Sequence, residues 1–230
     1  MRSGVPRRLV SLAFAALALS SAFGFAGTPV QARDLWEFSV RQFERKDKES
    51  PPPAGSTLFV GSSTFTRWTT LESEFQDCRA VNRGFGGSTI PDINHYIDRI
   101  VINYKPSRIV FYAGTNDIAA GHSAQQVLDD FRAFAEKVHA SLPDTQIYFI
   151  SLSVAPCRLR LSHVFDDGNN LVKAYVAKNP YLHYIDVTPV MHDKSGALRA
   201  DLFGPDNLHM TRAGYDAWVP ILRKALGLHS

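Results

Sequence analysis

The chain has 230 residues, 45% of them hydrophobic and 11% aromatic, which suits one globular domain with a sizeable core. Its formal net charge is +3, but residues 1–32 hold three arginines and no acid, so the remainder sums to 0. That balance excludes the basic footprint of a nucleic-acid binder, and no dense Lys/Arg run stands elsewhere. Arg158 and Arg160 make only a small local cluster, read as a solvated loop.

In chain order, the first segment reads as a secretory signal. Arg2, Arg7 and Arg8 precede an apolar run over 9–19, softened by Ser20, Ser21, Gly24 and Gly27, and Val30-Gln31-Ala32 offers the small residues a signal peptidase reads. Cleavage after Ala32 and export to the periplasm or medium are expected. The competing reading is an uncleaved anchor over 9–27. No Cys stands near that exit, which argues against a lipid anchor, and no other stretch is apolar enough to span a membrane.

Residues 33–56 read as an amphipathic helix carrying Trp36, Val40 and Phe43, closed by the Pro-rich lead-in Ser50-Pro51-Pro52-Pro53. From 57 to 230 strands and helices alternate in one domain. Strands are expected at 57–60, 79–82, 108–112, 146–152 and 183–187. Between them lie a helix stepping through Ile90, Ile93, Ile97, Ile100 and Tyr104, one capped by Ser123, and a polar one near 166–178. Thr211 can cap a last helix, in which Pro220 should kink or loosen one turn. Such alternation predicts an α/β fold with a parallel sheet covered on both faces. Cys78 and Cys157 would then stand at opposite edges of the sheet, so both are expected as unpaired thiols.

In parallel α/β sheets, chemistry gathers at the carboxyl ends of the strands. The first expected strand ends in Gly61-Ser62-Ser63-Thr64, where a serine opening a helix has backbone N–H groups beside it. The second ends in Gly84-Phe85-Gly86-Gly87-Ser88-Thr89, whose paired glycines let the backbone approach closely, or simply make a flexible loop. The third ends in Gly114-Thr115-Asn116-Asp117. Asn116 there can offer an amide to a developing oxyanion, or fill an Asx-turn. Asp206 and His209 stand three apart before the last helix, close enough for the carboxylate to orient the imidazole. A metal pair is the alternative, but no further ligand stands nearby at suitable spacing. His95, His122, His139, His163, His183, His192 and His229 have no comparable setting and read as structural or surface residues.

Taken together, these segments resemble the SGNH (or GDSL) hydrolase superfamily. Ser63 in GSST matches its first motif, Gly87 in GFGGST the second, Asn116 in GTND the third, and Asp206 with His209 in DNLH, followed by Gly214-Tyr215, the last. Ser62 stands where the name motif has Asp, which leaves Ser62 as a second candidate nucleophile. The resemblance implies a three-layer α/β/α sandwich with a flavodoxin-like sheet of about five strands. It implies an esterase or acylhydrolase with Ser63 as nucleophile, His209 as base and Asp206 as its orienting acid. Ser63, Gly87 and Asn116 would form the oxyanion hole, and no cofactor or metal is needed. A lipid, small-molecule or acylated-carbohydrate ester would be the substrate, with loops 156–163 and 193–203 shaping the pocket. Within the same fold, a polysaccharide O-acetyl esterase and a silent carbohydrate-binding or assembly protein compete.

Overall fold

The computed structural model describes residues 36–229, so the expected signal and its cleavage point lie outside the described residues. Helix α1 (Glu37–Glu49) opens the described chain with Val40 on its buried side. There follow β1 (Thr57–Gly61), the short helices α2 (Ser63–Thr66) and α3 (Leu71–Glu74), and β2 (Ala80–Gly84). Next come α4 (Ile90–Ile100), β3 (Arg108–Tyr112), α5 (Thr115–Ala119), α6 (Ala124–Ser141) and β4 (Gln146–Ile150). The chain closes with α7 (Ser162–Val176), β5 (Leu182–Ile185) and α8 (Arg212–Ala225).

The five strands are all parallel, in the order β2-β1-β3-β4-β5. This is the flavodoxin-like arrangement, with its switch point between β1 and β3. Alternate side chains feed two cores. Leu58, Val60, Ile109, Phe111, Ile147 and Phe149 pack against α1, α4, α6 and α7. Phe59, Val110, Tyr112 and Ile150 face α2, α3 and α8 on the other side, where Phe65, Leu71 and Trp218 are fully or almost fully buried. Each such side chain contributes about 1.5–3 kcal/mol of apolar burial, so the layers are held by the strands' near-continuous hydrophobicity. The three-layer α/β/α expectation is met.

Several boundaries differ from expectation for local reasons. Arg79 adopts φ 53°, which strand geometry cannot hold, so β2 starts one residue later and runs on to Gly84. The helix expected to reach Tyr104 stops at Ile100, and Ile102–Tyr104 forms a separate 3-10 turn. Lys105, at φ 46°, closes that turn before Pro106. The last helix continues through Pro220 to Ala225 as one element. Cys78 is buried just before β2, Cys157 is exposed beyond the end of β4, and both thiols are free. No helix among the described residues is long and apolar enough to cross a membrane.

Helix α1 is held to the domain by charge. Arg99 reaches both Glu37 and Glu44, and the guanidinium of Arg83, 1% exposed, grips both Asp47 oxygens at 2.8 Å. The rings of Phe43 and Tyr104 cover that guanidinium at 5.2 and 4.5 Å.

Candidate active site

The register sets the site. Gly61 pairs with Gly84 on one side and Tyr112 on the other, so three strands end level and release their loops together. Helix α2 starts immediately beyond Gly61 and passes over the end of β2. A Cβ on Gly84 would fall 2.7 Å from Phe65 Cβ and from the Thr66 nitrogen, so only glycine permits this crossing.

Ser62 is 3% exposed and its carbonyl accepts the N–H groups of Phe65 and Thr66, which makes it the structural start of α2. Ser63 follows with its hydroxyl turned toward the last loop, where His209 Nε2 lies 3.0 Å from Ser63 Oγ. Helix α2 is four residues long, so its dipole is slight and the local N–H groups are the relevant donors.

His209 is carried on a turn that Asp206 ties together. Asp206 Oδ1 accepts the N–H groups of Leu208 and His209 at 3.0 Å, and Oδ2 lies 2.6 Å from His209 Nδ1. The His209 ring is the main cause that holds the Asp206 carboxyl well below the usual carboxylate range, with the two backbone N–H groups adding to it. Tyr215 in α8 ties the two halves by donating its hydroxyl to the Thr64 carbonyl at 2.9 Å. A serine, an imidazole and a carboxylate in this chain can move a proton from Oγ to Nε2 while Nδ1 stays protonated.

The other two expected residues come from neighbouring loops. Gly87 has φ +81°, and a Cβ there would lie 3.1 Å from the ring of Trp36, the residue just before α1. Asn116, in the first turn of α5, donates Nδ2 to the Ser88 carbonyl at 3.0 Å, joining the second and third loops. Ser63, Asn116 and His209 share the wall of one narrow cavity of about 30 Å³ with Thr64, Tyr112, Thr115, Ser153, Ala155, Phe203, Leu208 and Met210. Asp206 stands behind His209, and Gly87 lies outside that wall. From the two loops expected to shape the pocket, Arg158 and Phe203 reach it.

Arg158 corrects the reading of a solvated loop. Its Nη2 donates to Asn116 Oδ1 at 2.9 Å and its Nη1 to the Thr115 carbonyl at 3.0 Å. The signal available in sequence was its position just past the end of β4, the same kind of position that singled out Ser63 and Asn116. Trp36 was readable as a helix residue, but its seat against Gly87 was not.

Comparison with known proteins agrees with this architecture. Residues 54–217 match the GDSL-like lipase/acylhydrolase family. The chain is 26% identical over 211 residues to the platelet-activating factor acetylhydrolase IB subunit alpha1 of Bos taurus, covering 87% of this chain and 84% of that one. Among solved structures, a GDSL-like lipase from Bacteroides thetaiotaomicron superposes with a TM-score of 0.71 at 20% identity, covering 82% and 97% of the two chains. An acetyl-xylooligosaccharide esterase from Geobacillus Stearmophilus gives 0.62 at 16%, covering 78% and 99%. The strand order, the convergent loops and a family match over most of the chain lead to one assignment: this protein belongs to the GDSL-like lipase/acylhydrolase family and is an ester-cleaving hydrolase.

Proposed function

We propose that the protein is an exported serine esterase that removes a short acyl group, of acetyl size, by a Ser63–His209–Asp206 mechanism. The observation that carries the mechanism is the hydrogen-bonded chain from Ser63 Oγ through both nitrogens of His209 to Asp206. Ser63 Oγ attacks the ester carbonyl as its proton passes to His209 Nε2. The tetrahedral oxyanion is met by the N–H groups of Ser63 and Gly87 and by the Asn116 amide. His209 then protonates the departing alcohol, and water, deprotonated by the same imidazole, releases the acid and restores Ser63.

The cavity beside Ser63 and His209 is small, about 30 Å³, which favours a small acyl group there. Two of the similar proteins act on acetyl groups by name, one on platelet-activating factor and one on xylooligosaccharides. Export rests on the basic, apolar and small-residue succession before Arg33.

Hydrolysis of p-nitrophenyl esters by the purified protein tests the reading. Turnover of the acetate should exceed that of the octanoate, Ser63→Ala should abolish it, and Ser62→Ala should retain it. Full turnover in Ser63→Ala, or loss confined to Ser62→Ala, overturns the mechanism; a preference for octanoate overturns the acyl size. Acetylated xylan and an acetylated glycerophospholipid then separate carbohydrate from lipid esters. Detection of the protein in the periplasm or medium, with Arg33 as its first residue, tests export.

A further inference from the structure

We infer that Arg158 is a positioning residue for the oxyanion site, locking the Asn116 amide in the one orientation that leaves an N–H for the reacting oxygen. This rests on the acyl-transfer reading above. The amide of Asn116 is held at both ends by groups of fixed hydrogen-bonding sense. Arg158 Nη2, 2.9 Å from Oδ1, can only donate, and the Ser88 carbonyl, 3.0 Å from Nδ2, can only accept. Turning the amide over would set its NH₂ against a guanidinium and its oxygen against a carbonyl, losing both bonds at once. One Nδ2 hydrogen is taken by Ser88. The second is left for the cavity that Asn116 shares with Ser63 and His209.

The guanidinium acts in two further ways. Its bond to Oδ1 is charge-assisted and draws electron density from the amide, which strengthens the opposite N–H as a donor. Its second bond, to the Thr115 carbonyl at 3.0 Å, fixes the backbone that carries Asn116. The 3-10 turn bearing Arg158 (Pro156–Leu161) is also tied to the histidine turn, because the Cys157 N–H donates to the Asn207 carbonyl at 3.0 Å. Asn207 sits at φ 53° between Asp206 and His209. One short turn therefore links the imidazole turn to the amide across the mouth of the site.

A double-mutant cycle on p-nitrophenyl acetate tests this, with thermal melting as the check on folding. Asn116→Ala should lower kcat by about 10²- to 10³-fold. Arg158→Met should lower it by about 10- to 100-fold with KM nearly unchanged, since an amide free to turn is misplaced only in the transition state. Added to Asn116→Ala, Arg158→Met should cost less than about threefold, because its route of action has already been removed. Arg158→Lys keeps the charge and serves if Arg158→Met folds poorly. It too should lower kcat, because one ammonium cannot reproduce the planar fork to Thr115 and Asn116. Wild-type kcat in both Arg158 variants, or fully multiplicative losses in the double variant, overturns the role of Arg158 alone. Wild-type kcat in Asn116→Ala overturns the oxyanion assignment beneath it, and this inference with it.

Discussion

Asp206 holds His209 at two points, accepting its backbone N–H at 3.0 Å on one oxygen and facing its Nδ1 at 2.6 Å with the other. A carboxylate can only accept there, so Nδ1 carries the proton and Nε2 is left as the acceptor for Ser63. Asp206→Asn would present an amide that can satisfy Nδ1 as a donor instead, moving the proton to Nε2. On the proposed mechanism kcat falls by about 10³- to 10⁴-fold while the fold persists, read from steady-state kinetics alongside circular dichroism. The Asp206 carboxyl, held well below the usual carboxylate range chiefly by its bond to the His209 ring, stays ionised and so remains an acceptor for Nδ1 in mildly acid solution.

Gly87 combines φ +81° with an indole 3.1 Å from where a Cβ would sit. Gly87→Ala should cost about 1–3 kcal/mol of stability and shift the loop's N–H, lowering kcat by about 10- to 100-fold. Gly55→Ala is the control, since Gly55 has φ +66° but open space around it and precedes the amino end of β1, opposite the carboxyl end where the site loops emerge. It should share the backbone strain in a melting experiment and leave kcat unchanged.

The Arg83–Asp47 pair is the buried fastening of α1. Asp47→Ala strands a guanidinium that is 1% exposed, which should cost about 3–5 kcal/mol in a denaturant titration. Adding Arg83→Met removes the stranded charge and should recover much of that loss. If the single and double variants are equally unstable, the charge is not the reason. Because α1 begins beside Trp36 and Gly87, Asp47→Ala should also lower turnover before it unfolds the domain.

Asp117 is fully buried next to Asn116, with the Ile90 N–H on one oxygen. Its donor atom, with those of His122 and Asp130, lies in a cluster spanning no more than 4.8 Å. Burial pushes its carboxyl up to about 6 from 3.8, so the folded protein keeps a proton that the unfolded chain has already released. The resulting stability is present below the unfolded value and is lost as pH rises through the folded one. The stability of wild type minus that of Asp117→Asn should thus fall between about pH 4 and pH 6, by up to about 3 kcal/mol. Chemical denaturation of both proteins across that range measures it, and a constant difference would remove Asp117 as the cause.

Much of this molecule is legible in its sequence. Apolar runs such as Arg108–Tyr112 must be buried on both faces, and residues just past their ends must converge, which brought Ser63, Asn116 and the Asp206–His209 turn into view. Short helices such as α3 and α5 were not legible, because one turn carries no periodicity. Arg158 was missed because its partners, 42 and 43 residues earlier in the chain, are set by tertiary approach and leave no local pattern. The ion pairs of α1 left no local pattern for the same reason, since Glu37, Glu44 and Asp47 meet arginines 36 to 62 residues away.

Ser63 and His209 meet across 146 residues, and α8 must dock before Tyr215 can brace the serine loop. Contacts this distant in sequence carry a large loop-closure cost that the rest of the fold must offset. A chain whose last helix has not docked would carry His209 on a turn not yet braced against the serine loop, so on the proposed mechanism activity reports complete folding, and a molecule nicked within α8 should fall silent before it falls apart.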